Sequence, residues 1–436
     1  MKQLNSRSWI LQRLQGHQPR PKSNMNMPLL NQDDVDALRQ KVDAFTQGPN
    51  GIPGLVCVVV DSKGEHIFDH VSGTRGSGIS KPMTFHTTFW MASCTKLVTT
   101  IAALQLVEQG NVALDSEEDI QRILPELSDV MVLSEDESGD LKLVPRERNI
   151  TLRMLLTHTA GFGYSFSNPK IKKWYDPAGI DEFDDQELDV YSQPLVNQPG
   201  TVWEYGVNTD WVGRLIERVS NVSLDTYFQS NILGPLQVSR TTLLPTSEMK
   251  DTLAYMHIRD VDSGTIKLSD EGHLMRRPLR QSSGRSKHTF GQSGGAGLFS
   301  NPVQYSKIIV MLLNKGKDTQ SSCRILQEKT VEELFLNQIP QFPDYARYQD
   351  SPWNPPQGWG LGSFLLIEPG STGRAAGSGW WSGLSNLIWW ADPTNRIGGI
   401  LATQILPYGD TDVFDCQRLI EGEIYRNLFK KKSEQN

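Results

Sequence analysis

Apolar positions recur along this chain with two periods, and each period marks an element. Val35, Leu38, Val42 and Phe45 follow helical spacing, with Asp33 and Asp34 placed to cap the helix. An unbroken apolar run follows, Leu55-Val-Cys-Val-Val-Val60, which predicts a buried strand. The turn Asp61-Ser-Lys-Gly64 then leads into a second strand over about 66–71. Leu97, Val98, Ile101, Leu104, Leu106 and Val107 outline the apolar face of a helix that opens at Ser93 and stops at Gly110. Further helices are predicted from 210 to about 219 and from 302 to 313, the latter starting on a proline. Two strand-like runs, 386–390 and 400–404, precede a final amphipathic helix carrying Phe414, Leu419, Ile420, Ile424 and Leu428.

Strands near both ends of the chain, with helices between, imply one sheet assembled from distant segments and covered by the terminal helices. The fold class is therefore α+β. Residues 1–30, rich in Gln, Asn and Pro, read as a loosely ordered leader. The sheet domain is expected to be discontinuous, built from 31–92 and 300–436. Residues 93–299 would form a mostly helical insertion, with the active site at the interface. The stretch 339–357 is too proline-rich for regular structure, and its aromatic residues, Trp353 among them, fit a substrate-lining flap.

Composition narrows the function classes. A hydrophobic fraction of 38% and a charged fraction of 21% are those of an ordinary soluble globular protein. The net charge of −7 and the absence of a basic stripe argue against nucleic acid or an anionic membrane as partner. No apolar run reaches transmembrane length. Cys57, Cys94, Cys323 and Cys416 are scattered without paired spacing, which points to a reducing compartment, the cytoplasm. No metal site is expected, because no His or carboxylate cluster has ligand spacing, and no cofactor is called for.

The candidate chemistry centres on Ser93-Cys94-Thr95-Lys96. Positions i and i+3 of a helix share a face, so Lys96 can bring its amine to the Ser93 hydroxyl. A serine hydroxyl is a weak nucleophile until a base takes its proton. A lysine can be that base when burial and nearby positive potential lower its pKa, and a helix N-terminus supplies such potential. The same tetrapeptide would equally describe a helix cap with a solvated lysine.

The surrounding stretches resemble the serine β-lactamase, penicillin-binding protein and class C-type esterase superfamily over about 34–430. Phe89-Trp-Met-Ala-Ser93-Cys-Thr-Lys96-Leu is similar to that family's nucleophile segment. Ile150-Thr-Leu-Arg-Met-Leu-Leu-Thr-His158-Thr-Ala-Gly161 and Gly294-Gly-Ala-Gly297-Leu-Phe-Ser300 resemble two of its structural signatures. Pro199-Gly200-Thr-Val-Trp203-Glu-Tyr205 resembles the approach to its second catalytic motif, and Trp380-Trp381-Ser382-Gly383-Leu384 its third, placed just before a strand. The resemblance implies a β-lactamase/transpeptidase-like antiparallel sheet flanked by terminal helices. It also implies that Tyr205 shares proton handling with Lys96. The oxyanion hole would be formed by the N–H groups of Ser93 and Leu384, with Gly383 letting the backbone approach the substrate. His158 belongs to a structural stretch, and a lone buried histidine is more often a hydrogen-bonded core residue than a catalyst.

Two departures steer the expected activity. Val207 stands where the family's β-lactamases and peptidases usually carry Asn, with Asn208 one place later. Trp381 stands where they usually carry the Lys or His that holds a substrate carboxylate. Without that cation, β-lactamase and peptidase activities lose their substrate partner, and the tryptophan resembles instead the esterase and transesterase branch. Within it, residues 400–410 and the intact 294–300 run resemble the fungal acyltransferases of polyketide biosynthesis. The resemblance implies an acyl group taken from a thioester donor, on a carrier protein or CoA, and passed to a small hydrophobic alcohol. Trp203, Trp359, Trp381 and Gly383 are the candidate pocket residues. A carboxylesterase using the same acyl-enzyme is the alternative, and a catalytically silent relative a third reading.

Overall fold

The computed structural model describes residues 29–183, 190–280, 292–342 and 357–435, and its core is a single antiparallel sheet of seven strands. In chain order these are β1 (Gly54–Asp61), β2 (His66–Gly73), β3 (Gln357–Trp359), β4 (Phe364–Leu366), β5 (Gly379–Gly383), β6 (Leu387–Asp392) and β7 (Ile397–Ala402). Across the sheet they run β2-β1-β7-β6-β5-β4-β3, so the N-terminal hairpin is inserted beside the last strand of the C-terminal meander. The register aligns Val58 with Ile400, Trp389 with Ile400, and Trp381 with Trp389.

The apolar run of β1 has no polar position because both of its faces are covered. Successive side chains point to opposite faces. Leu55, Cys57 and Val59 pack against Leu38 and Val42 of the Gln32–Asp43 helix and Val413, Cys416 and Ile420 of the Thr411–Gln435 helix. Val56, Val58 and Val60 join the larger core on the other face, with Ile308 and Ile309 of the Pro302–Leu313 helix. Asn31, rather than Asp33 or Asp34, caps the first helix. Its side chain accepts the Asp34 N–H at 2.8 Å, while Asp34 reaches back to the Asn31 N–H.

Several expected boundaries move for physical reasons. The 210–219 helix begins earlier, at Asn208, and ends at Ser220. The strand expected at 400–404 runs Ile397–Ala402, its first half hidden by the pair Gly398-Gly399. Of the stretch placed just before a strand, Trp380–Leu384, all but Leu384 lies within a strand itself, β5. Most of the 1–30 leader and residues 343–356 of the expected flap, with Trp353, lie outside the described residues. Among the described residues no helix is long and apolar enough to cross a membrane, and no cluster of His, Cys, Asp and Glu could hold a metal ion.

Candidate active site

Ser93 does not open the long helix. It lies in a 3-10 turn, Ala92–Cys94, and the α-helix starts after it, running Thr95–Glu108. In a 3-10 turn side chains three apart eclipse, which still puts Lys96 on the Ser93 side. Ala92 has φ +44°, a left-handed conformation that non-glycine residues adopt only when their surroundings over-determine it. Here they do. Met91 N–H bonds the Leu298 carbonyl at 2.8 Å, Trp90 Nε1 donates to the Ala296 carbonyl at 2.6 Å, and Tyr305 donates to the Cys94 carbonyl at 2.8 Å.

Strand β5 closes on this turn from the other side. A Cβ on Gly383 would stand 2.7 Å from the Met91 carbonyl oxygen and 3.3 Å from the Ala92 Cβ. The sequence points to Gly383 for close approach to substrate; the structure shows close approach to the backbone beside Ser93. Gly383→Ala should push β5 off the Ser93 turn and lower kcat/KM for an activated ester by at least about tenfold, since sub-ångström misplacement is costly. Ester kinetics beside a thermal melt would check this; wild-type kinetics would show that the close approach is dispensable.

Two buried polar groups meet at Ser93 Oγ. Tyr205 donates to Ser93 Oγ at 2.7 Å, and Lys96 Nζ lies 3.4 Å from the same oxygen. Lys96 also donates to Tyr164 OH at 3.2 Å and to the Gly295 carbonyl at 2.9 Å, and its amine sits over the Tyr205 ring, 4.7 Å from the centroid. Lys96 is fully buried, and burial lowers its pKa to about 8, against the opposing pull of Asp210. Desolvation is the main cause of that lowering. Trp381 Nε1 donates to Tyr205 OH at 3.3 Å, so the tryptophan that replaces the family's cation faces the tyrosine.

His158 lies behind this group. Its Nδ1 is 3.0 Å from the Asn208 amide nitrogen, its ring centroid is 4.8 Å from that of Tyr205, and burial pushes its pKa well down, keeping it neutral. Asn208 is thus engaged with His158.

A cleft open to solvent lies in front of Ser93 and is lined by Phe166, Phe183, Tyr205, Trp381, Ser382, Leu384 and Tyr408. Ser93 and Leu384, the expected oxyanion pair, therefore face one space. Trp203 and Trp359 do not. Trp359 has no exposed surface, donates to the Leu156 carbonyl at 2.9 Å, and packs edge-on to Trp381. Trp203 stacks on Tyr205 and Phe364. Both form an aromatic layer behind the catalytic face, which corrects their expected place in the pocket. Sequence reasoning missed Tyr164, Phe166, Phe183 and Tyr408, which come from loops without periodicity. It also missed Asp210, which no motif or spacing marks.

Comparison with known proteins agrees with this geometry. The family model described as beta-lactamase matches residues 38–420. Lovastatin esterase of Penicillium rubens is 32% identical over 88% of this chain and 97% of its own. Monacolin J acid methylbutanoyltransferase of Aspergillus terreus is 32% identical over 86% of this chain and 92% of its own. The solved structure of a LovD6 mutant of simvastatin synthase from Aspergillus terreus superimposes with a TM-score of 0.79 at 29% identity, covering 92% and 96% of the two chains.

Proposed function

Since the chain belongs to the β-lactamase family, we propose that it transfers an acyl group through an ester on Ser93 to an alcohol of a small hydrophobic secondary metabolite of polyketide type. It is a serine enzyme of the acyltransferase and esterase branch, not a β-lactamase. The observation that carries the reading is the buried contact of Tyr205 and Lys96 with Ser93 Oγ, in a cleft walled by Phe166, Phe183, Trp381 and Leu384.

In acylation, Ser93 Oγ attacks the donor carbonyl while neutral Lys96 takes its proton. The oxyanion lies against the N–H groups of Ser93 and Leu384. As the tetrahedral intermediate collapses, the C–S bond breaks and the sulfur leaves as a thiol, with a proton passed from Lys96 through Tyr205. In deacylation, an acceptor hydroxyl gives its proton back along the same pair, its oxygen forms the new ester, and Ser93 leaves reprotonated. The donor in this reading is a thioester of CoA or of a carrier protein. The four unpaired cysteines support a cytoplasmic setting, and the division at 92/93 and 299/300 remains the proposed domain plan.

The same acyl-enzyme serves an esterase when water is the acceptor, and the esterase relative supports that second reading. Partition of a preformed acyl-enzyme between water and added hydrophobic alcohols separates them. Ester product should exceed hydrolysis at millimolar alcohol; fast loss to water without ester product would sink the transferase.

A further inference from the structure

The Gly294-Gly295-Ala296-Gly297 segment and Asp210 have no role in the chemistry above, yet both end at Lys96. Asp210 is buried on the Asn208–Ser220 helix. Its Oδ1 accepts the Ser293 hydroxyl at 2.6 Å and the Gly295 N–H at 3.0 Å. Ser293 Oγ in turn accepts the Ala296 N–H at 2.9 Å. The Ala296 N–H and the Gly295 carbonyl belong to one peptide unit, and that carbonyl receives Lys96 Nζ at 2.9 Å. A continuous chain of hydrogen bonds therefore runs from carboxylate through hydroxyl and peptide to the amine. Thr99 Oγ1 ties the preceding peptide, Gly294–Gly295, to the Thr95–Glu108 helix, donating to the Gly294 carbonyl at 2.7 Å. Only glycine fits at 295, because a Cβ there would collide with the Asp210 carboxylate.

We propose that Asp210 is a positioning residue: through Ser293 it clamps the Gly295–Ala296 peptide so that its carbonyl holds the Lys96 amine beside Ser93, and its carboxylate faces that amine. The inference rests on Lys96 being the base to Ser93. Hydrogen-bond chains of this kind polarise one another in a low-dielectric interior. The titratable groups around Lys96 among the described residues are Asp210, Cys94, Tyr164, Tyr205 and His158. Burial pushes the Cys94 thiol and the Tyr164 phenol up, so both stay protonated, and it keeps His158 neutral. Asp210 supplies the opposite charge. Burial raises its pKa, while Lys96, Ser293 and the Gly295 N–H pull it back.

Two variants test this on the acylation kcat/KM against pH. Asp210→Asn keeps an oxygen that accepts from Ser293 and Gly295 but removes the charge. The acid limb assigned to Lys96 should move to lower pH by at least about half a unit, the direction expected when an opposite charge is removed from an amine. Ser293→Ala keeps the charge but breaks the clamp. Its plateau should fall at least about fivefold with the limb unmoved. A limb in the wild type that stays put in folded Asp210→Asn overturns the assignment of Asp210, as does a full plateau in Ser293→Ala. A wild type without an acid limb overturns the Lys96 assignment itself, and the relay falls with it.

Discussion

Ser93→Ala is expected to lose the single acyl adduct that intact-protein mass spectrometry should find after incubation with a short-chain p-nitrophenyl ester or an acyl thioester. Steady-state turnover should fall by at least about four orders of magnitude, the scale seen when a serine nucleophile is removed. Besides Tyr205, two other hydroxyls line the cleft, those of Ser382 and Tyr408, but they lie 2.7 Å from each other. Among Ser93, Ser382 and Tyr408, Ser93 is the oxygen that Tyr205 and Lys96 both reach. The substitution removes one oxygen from a buried side chain and adds no volume, so the strained turn at Ala92 keeps its anchors. An adduct persisting in Ser93→Ala would move the nucleophile elsewhere, and Ser382 would be the next position to replace. An absent adduct in the wild type, with ester turnover intact, would mean that deacylation outruns trapping.

The parts of this molecule that were legible in the sequence are those whose signal is local. The β1 run reads as a buried strand because both faces are apolar, and Pro302–Leu313 reads as a helix because a proline stands at its first position. The meeting of Ser93, Lys96 and Tyr205 was legible because a fixed spacing or a motif marks each. Strands β3 and β4 are three residues long, too short to carry a period, and they form only in series, β4 against β5 and β3 against β4. Tyr164 and Asp210 reach Lys96 from 68 and 114 positions away along the chain, and no pattern near them announces that meeting. Trp203 and Trp359 mark a further limit. An aromatic residue near a motif serves equally as a pocket wall or as the layer behind it, and only the packing tells the two apart.

The second large effect concerns the two groups that face Ser93. Lys96→Ala and Tyr205→Phe are each expected to lower the acylation rate by at least about a hundredfold, the usual scale for losing a general base or acid. Their pH profiles should differ, and the difference assigns the roles. Acylation needs the amine neutral. With a Lys96 pKa near 8 in the free enzyme, about a tenth of the molecules are competent at pH 7 and about nine-tenths at pH 9. Wild-type kcat/KM should therefore rise about tenfold over that interval and level off above it. Tyr205→Phe keeps the ring beneath the amine and the burial that lowers the lysine, so the rise should survive at reduced height. Lys96→Ala removes the titrating group, and the rise should vanish. A rise that survives in Lys96→Ala and disappears in Tyr205→Phe would exchange the two roles, making the tyrosine the base and the lysine the charge that sustains it.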